Sequence, residues 1–210
     1  MHSILGSSPA PDGRAILAQA PCRVDLAGST LDLWPLYLFH PGAVTVNFAV
    51  PIMTTCKITP QAGKAIVLRS IDHKREDRFA DLQALCKARK YKHGLAMQLI
   101  KHFRPEGGFL LETNSESPAG AGIAASSAMM IATTAALAKL TGKKFSPEQM
   151  RILAQNVEAQ LIKVPTGCQD YYPALYGGAS AIHLTFEGIQ REALPVRELS
   201  VINQISKELD

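Results

Sequence analysis

The stretch SPAGAGIAASSAMM, residues 117–130, places two glycines and several small residues directly before a long apolar run. Glycine lets backbone N–H groups turn toward one space, and a helix that begins there adds unpaired N–H groups and a positive dipole end. Such a turn suits a phosphate, and Ser126 and Ser127 would lie in the first helical turn beside it. The alternative is a helix start packed closely against a strand, with small residues present for steric reasons. No Walker-type lysine follows the glycines.

Glu158 occupies an unexpected position on the next predicted helix, which begins near Ser146 and ends near Lys163. At 100° per residue it falls inside an apolar stripe. That stripe consists of Met150, Leu153, Ala154, Val157, Leu161 and Ile162. A carboxylate there needs a partner, because burying an unpaired charge is strongly unfavourable. Two interpretations remain open: a metal ligand acting with a serine, or a structural salt bridge at the core edge.

Asp170 and Arg23 are two further candidates for chemistry. Asp170 lies in the loop PTGCQDYYPALYGG, where a carboxylate can position or deprotonate a hydroxyl. A turn-capping role is the alternative for this aspartate. Arg23 stands in an otherwise apolar strand, and a guanidinium suits a carboxylate or a phosphate partner. A surface pair between Arg23 and Asp25 on an edge strand is the alternative for the arginine.

These three segments resemble motifs of the GHMP family of small-molecule kinases, which includes galactokinase, homoserine kinase, mevalonate kinase and phosphomevalonate kinase. APCRVDLAGSTLD is similar to the galactokinase motif APGRVNLIGEHTD, and SPAGAGIAASSA resembles PxGxGLGSSA. GCQDYYPALYGG resembles the family stretch GxxDQYxxxxGG. The likeness covers roughly residues 16–186, with the motifs in family order, and is greatest to the sugar and heptose-phosphate kinase branch.

The resemblance implies a kinase that transfers a phosphoryl group from ATP, with Mg²⁺, to a hydroxyl of a sugar or sugar phosphate. It implies that Asp170 is the catalytic aspartate, with Arg23 as its partner, and that Ser126 and Glu158 hold the metal. The residues around the ATP phosphates would be Pro118, Gly120, Ala121, Gly122, Ile123, Ala124, Ser126 and Ser127. The acceptor-binding residues would be Gly28, Ser29, Asp32 and Tyr171.

Several positions depart from the family motifs. Cys22 replaces a glycine, Ala124 and Ala125 replace Gly-Ser, and Tyr171 replaces a glutamine. Ser29 and Thr30 stand where galactokinases have Glu-His, which argues against ordinary galactose as the acceptor. Two other functions remain open: a non-catalytic nucleotide- or sugar-binding regulator of the same fold, and a mevalonate-type isoprenoid kinase.

The order of elements predicts an α+β fold, with a mixed or antiparallel sheet packed against helices. Apolar and β-branched patterns predict strands over 16–27, in GAVTVNFAV, IMTTCKITP and KAIVLRS, and over 107–115 and 179–186. The three strands GAVTVNFAV, IMTTCKITP and KAIVLRS would form an antiparallel meander. Helices are predicted over 81–103, over 123–140 with Gly142 as the C-cap, and from the capping box at Ser146 to about Lys163.

The resemblance also predicts the domain organisation. Residues 1–15 would be a flexible leader, 16–195 the nucleotide-binding N-terminal domain, and 196–210 the start of a C-terminal domain that is otherwise missing. Two alternatives remain open: the chain is truncated, which would impair its activity, or a dimer or a separate chain supplies the missing half of the site.

Composition narrows the function classes further. The net charge of +4 suits a small anionic ligand, and the basic run at 86–94 is typical of a solvated helix end rather than a nucleic-acid site. Four cysteines without CxxC spacing favour a reducing cytoplasm, and no apolar run is long enough for a membrane partner.

Overall fold

The structure of the chain is a computed structural model that describes residues 14–195. The predicted leader, except for residues 14 and 15, and the predicted start of a C-terminal domain at 196–210 lie outside the described residues. Within the described part, no helix combines the length and the apolar character needed to cross a membrane.

The described chain contains seven strands and five α-helices. The strands are β1 (Ile16–Ala27), β2 (Val44–Gln61), β3 (Ile66–Ser70), β4 (Arg75–Phe79), β5 (Gly108–Ser115), β6 (Ala179–Thr185) and β7 (Gly188–Leu194). The helices are α1 (Leu82–Lys87), α2 (Gly94–Phe103), α3 (Ala125–Thr141), α4 (Pro147–Ile162) and α5 (Tyr171–Tyr176). Two short 3₁₀ helices, Ser29–Asp32 and Leu36–Phe39, connect β1 to β2.

The long strand β2 organises a single mixed sheet. β1 pairs antiparallel along one edge of β2, while β6 and β5 share the other edge, beside residues 44–48 and 54–61. The sheet continues as β4–β3–β5 on one side and β6–β7 on the other, and only the β3–β5 pair is parallel. Helix α3 packs on β1 and β2, and α2 and α4 pack on α3. The predicted α+β class is therefore confirmed.

The two strands predicted in residues 42–60 are one strand, since β2 runs straight through Pro51. Proline has no N–H to donate, so it is tolerated where no partner strand needs one. Pro51 lies in the interval of β2 that neither β6 nor β5 covers. On the opposite edge, the register with β1 shifts between Pro21 and Cys22. The register skips Pro51 and Ile52, so the bulge lies in β2, and the prolines end neither strand.

The predicted meander is wrong, because two of its three strands are the single strand β2. β3 lies beside β5, in parallel, so β5 separates it from β2. The charged strand β4, the short helix α5 and the strand β7 were not predicted. The helix predicted over 81–103 is two helices, α1 and α2, and Gly94 begins the second instead of lying inside one. The capping box at Ser146 and the Gly142 C-cap are confirmed.

Buried aliphatic side chains between the sheet and the helices stabilise this arrangement. Ile58, near the C-terminal end of β2, has no exposed surface, whereas Leu17 on β1 is 63% exposed. Truncating a buried isoleucine removes apolar contacts and leaves a cavity.

We expect Ile58→Ala to lower the free energy of unfolding by roughly 2–5 kcal/mol. Urea titration followed by circular dichroism measures this change. Leu17→Ala is the matched control on the paired strand and is expected to change stability much less. Equal effects of the two variants would contradict the burial of Ile58.

Candidate active site

The glycine-rich segment forms the turn that leads into α3. Gly120, Gly122 and Ala124 have positive φ angles of 78°, 72° and 58°. Alternating residues in this conformation let neighbouring N–H groups converge into an anion-binding concavity. No side chain caps α3, so the N–H groups of its first turn add to that concavity. The geometry therefore favours the interpretation of the turn as a phosphate site. The small residues on the buried side of α3 fit the alternative, in which they allow close packing of the helix.

Arg23 of β1 connects this turn to the loop that carries Asp170. Its backbone N–H donates to Ile123 O at 3.0 Å, and its Nη1 donates to Gly122 O at 2.8 Å. Its Nε and Nη2 donate to Asp170 Oδ1 at 2.9 and 2.7 Å. The Arg23 side chain is only 12% exposed, so these bonds form in a poorly hydrated environment. One side chain thus holds the glycine turn and the Asp170 carboxylate side by side.

Asp25 is a second carboxylate beside the same guanidinium. Its Oδ1 lies 3.0 Å from Arg23 Nε but accepts no hydrogen bond among the described residues, because the Nε hydrogen points to Asp170. Burial raises the pKa of Asp25, the positive charge of Arg23 lowers it in part, and the charge of Asp170 raises it again. The predicted Arg23–Asp25 pair therefore exists, but it lies inside the site and not on an exposed surface.

Glu158 reaches the start of α3 from helix α4. Its Oε1 accepts a hydrogen bond from Ser126 Oγ at 3.1 Å, and its Oε2 accepts one from the Tyr171 hydroxyl. The carboxylate is thus oriented by two hydroxyl groups from two other elements. This arrangement differs from the salt bridge that was the alternative interpretation, and it places the two proposed metal-binding oxygens next to each other.

Gln169 fixes the backbone immediately before Asp170. Its N–H donates to Asp32 Oδ2 at 2.8 Å, and its carbonyl accepts from Asn47 Nδ2 at 3.1 Å. Its side-chain Nε2 donates to Ser29 O at 2.8 Å. Asp170 stands at the N-cap position of α5 without capping it, so its carboxylate is free to bind Arg23.

Asp32 is part of this anchoring arrangement. Its side chain is 4% exposed and lies against Gly167, where any added Cβ would collide with the carboxylate. Burial raises the pKa of Asp32, the Gln169 N–H lowers it, and the charge of Asp170 raises it again. In the described chain the Asp32 carboxylate faces the loop that carries Asp170 and supports it. A direct contact with an acceptor therefore requires one carboxylate oxygen to bind the loop and the acceptor at the same time.

The structure brings most of the predicted site residues together, with two exceptions in orientation. Ser127 is 2% exposed and lies near the Tyr171 hydroxyl, so its side chain points away from the glycine turn. Tyr171 is 1% exposed and binds Glu158, so it supports the carboxylate and does not reach an acceptor directly. Sequence reasoning missed Asn47 and Gln169, and only the presence of polar side chains in apolar or loop segments could have indicated them.

Comparisons with known proteins test the predicted fold and family resemblance. Residues 89–178 match the family described as GHMP kinases N terminal domain. A solved D-glycero-D-manno-heptose 1-phosphate kinase from Bacteroides thetaiotaomicron superposes with a TM-score of 0.77 at 21% identity, covering 87% of this chain and 60% of that one. The fold is that of a GHMP kinase N-terminal domain. The resemblance drawn from the three motifs is therefore confirmed.

Two curated relatives show how far the similarity to GHMP kinases extends. D-glycero-alpha-D-manno-heptose 7-phosphate kinase from Campylobacter jejuni is 24% identical over 200 residues, which cover 94% of this chain and 58% of the relative. A galactokinase from Chloroflexus aurantiacus is 28% identical over 168 residues, covering 78% of this chain and 41% of the relative. The chain thus spans about half the length of the curated GHMP kinases that it matches.

The raised pKa of Asp32 predicts a specific pH dependence of stability. The folded chain binds the Asp32 proton more tightly than the unfolded chain. Stability contributed by that proton is present at low pH and is lost as the pH rises from the ordinary aspartate pKa through the raised one. Asp32→Asn keeps an acceptor oxygen for the Gln169 N–H without the charge, so it does not undergo this loss.

We therefore expect the stability of Asp32→Asn, relative to the unchanged protein, to increase across that pH interval and to level off above it. Urea unfolding at closely spaced pH values measures the difference. The contribution of Asp25 is common to both proteins and cancels. Parallel curves throughout the interval would show that Asp32 titrates normally.

The bond from Asn47 to Gln169 gives a second prediction. Asn47→Ala removes one buried hydrogen bond, worth on the order of 1 kcal/mol. We expect about fivefold faster hydrogen exchange in the peptide that carries residues 167–172, with unchanged exchange in α3. Thr45→Val is the control, because its buried hydroxyl on the same strand has no hydrogen-bond partner among the described residues. Unchanged exchange in Asn47→Ala would refute the anchoring role.

Proposed function

We propose that the chain carries the nucleotide-binding half of a kinase that transfers the terminal phosphoryl group of ATP to a hydroxyl of a sugar or sugar phosphate. The observation that carries this proposal is the bridge made by Arg23 between the glycine turn and Asp170. It places a carboxylate beside a concavity of backbone N–H groups, which is the pairing that phosphoryl transfer needs.

The orientation of Asp170 suits a role toward an acceptor hydroxyl. Both guanidinium hydrogen bonds from Arg23 end on Oδ1, so Arg23 leaves the other carboxylate oxygen available. That oxygen can accept the hydrogen of an acceptor hydroxyl and direct its lone pair toward the phosphorus atom. Arg23 fixes the position of the carboxylate, and its link to Gly122 sets the carboxylate's distance from the phosphate turn.

The glycine turn and the start of α3 would bind the phosphates of ATP. Positive potential at this helix start comes from unpaired N–H groups and from the helix dipole. Gly120 and Gly122 have open space where a side chain would stand, so phosphate oxygens can approach the backbone closely. The exposed Ser126 hydroxyl lies at the rim of the same concavity.

Magnesium, the metal that this kinase class would use, fits the residues present. Mg²⁺ prefers hard oxygen ligands and is commonly held by one or two carboxylates together with substrate phosphates. Glu158 and Ser126 present two such oxygens 3.1 Å apart at the start of α3, and the Tyr171 hydroxyl orients the carboxylate. When bound, the metal would neutralise charge on the phosphates.

A sugar or sugar phosphate is favoured as the acceptor because the curated relatives reported above are sugar kinases by name. This favours the sugar interpretation over the isoprenoid alternative. The regulator alternative predicts nucleotide or sugar binding without any product, and the retained Arg23–Asp170 pair favours the enzyme over it. The chain covers 58% and 41% of these two relatives, so contacts from outside it would add to the substrate cleft.

A panel of hexoses, heptoses and their phosphates, incubated with labelled ATP and Mg²⁺, tests the proposal directly. We expect phosphoryl transfer to at least one acceptor. Asp170→Asn should lower the transfer rate by about 100-fold or more, within the range found for loss of a positioned proton acceptor, while ATP affinity is kept. Glu187→Gln, an exposed carboxylate in the turn between β6 and β7, is the control.

Two results would refute this assignment. Full transfer activity in Asp170→Asn would remove the proposed role of the aspartate. ATP binding without product from any acceptor, by the unchanged chain, would instead favour the regulator.

A further inference from the structure

A pocket of about 300 Å³ lies next to the Asp170 loop, between α4 and the 3₁₀ segments that follow β1. This size is at the lower end of the range for small-molecule sites. The residues that define its character are Asp32, Trp34, Tyr37, Gln155, Asn156 and Thr166. None of its lining residues belongs to the glycine turn or to the proposed metal site, and of the expected acceptor-binding residues only Asp32 lines it.

Trp34 is the most unusual part of this pocket. Its side chain is 65% exposed, although tryptophan is a residue that buries large apolar area when it packs in a core. Tyr37, in contrast, is partly buried and packs against a small apolar cluster that includes Tyr172 and Ile182. The pocket therefore has one fixed aromatic wall and one aromatic ring that remains open to a ligand.

The opposite wall is polar and held in place. Gln155 on α4 donates from Nε2 to Thr166 O at 2.8 Å and accepts from Arg151 Nη1, so both ends of its amide are used. Asn156, the next residue, is exposed and presents a second amide at the pocket. The amide of Gln155 is fixed by its contact with a backbone carbonyl, and the amide of Asn156 beside it is suited to binding hydroxyl groups of a ligand.

Charge in the pocket is largely compensated. Arg151 is 7% exposed, and its guanidinium donates to Glu148 and Gln155 and lies over the ring of Tyr172. Its charge is therefore balanced and is not offered to a phosphate. Neutral amides facing an open aromatic ring match the two faces of a sugar, since C–H groups stack on the ring and hydroxyls bind amides.

The pocket and the catalytic loop share a wall. Thr166 lines the pocket, and Asp170 follows four residues later, so their Cα atoms are at most about 14 Å apart. Asp32 connects the two regions more directly, because it lines the pocket and also accepts the Gln169 N–H. A ligand that extends from this pocket past Asp32 would approach the Asp170 carboxylate.

We propose that this pocket binds the carbohydrate part of the acceptor that is distant from the reacting hydroxyl, with Trp34 stacked on its C–H face. This inference rests on the proposed function for its link to transfer. The binding itself does not require transfer to occur. Trp34 is then a specificity-determining residue, because it selects acceptors long enough to reach both the pocket and Asp170.

The fluorescence of Trp34 gives a direct measurement of binding, because Trp34 is the only tryptophan in the chain. Covering its exposed ring should shift the emission to shorter wavelength and should saturate with ligand concentration. The probes are the same hexoses, heptoses and their phosphates, without ATP. A saturable shift with at least one of them supports the proposal, and no shift with any of them overturns it.

Steady-state kinetics of two variants at Trp34 provide the second measurement. Trp34→Ala should raise the acceptor KM at least tenfold with the ATP KM unchanged, and Trp34→Phe should restore part of the loss. Phe186→Ala is the matched control, since that ring is 90% exposed in the turn between β6 and β7 and does not line the pocket. An unchanged acceptor KM in Trp34→Ala overturns the proposal.

The two proposals fail in different ways. If no acceptor is phosphorylated but a sugar shifts the Trp34 emission, the pocket assignment holds and the kinase assignment fails. If an acceptor is phosphorylated and the same acceptor leaves the emission unchanged at saturation, the kinase assignment holds and the pocket assignment fails.

Discussion

The site depends on one guanidinium group. Arg23 donates to a carbonyl of the glycine turn and to the Asp170 carboxylate, and its own backbone N–H fastens the turn to the edge of β1. Breaking a poorly hydrated ion pair of this kind leaves a charge without compensation, which is strongly unfavourable. The turn, the strand and the loop therefore adopt one relative arrangement, and the chemistry assigned to them requires it.

Negative charge exceeds positive charge around this arginine. Asp25 and Asp170 both lie within hydrogen-bonding distance of Arg23, and Asp32 interacts with Asp170 through space. Burial is the main reason that the pKa values of Asp25 and Asp32 are raised, and the charge of Asp170 raises both further. An anionic nucleotide entering such a site needs compensating positive charge, which backbone N–H groups at the start of α3 and a divalent cation would both provide.

The sequence predicted the helix caps and the glycine turn, because these features depend on interactions between residues that are close together in the chain. The capping box at Ser146, the Gly142 C-cap and the glycine turn before α3 follow from residues adjacent in the chain. Strand order could not be predicted, because β3 pairs with β5, whose apolar pattern is the same as that of any other strand. The grouping of Arg23 with Asp170 was expected from the resemblance to GHMP motifs, since spacing alone cannot bring residues 147 positions apart together.

Strands β5 and β6 pair with the same edge of β2, and this affects how the chain folds during synthesis. β1 and β2 emerge first, yet the partners of β2 on its other edge, β5 and β6, begin at residues 108 and 179. Until those segments leave the ribosome, the long hairpin has an unpaired edge that can join another strand. Nearly the entire described chain must therefore be translated before both edges of β2 are paired.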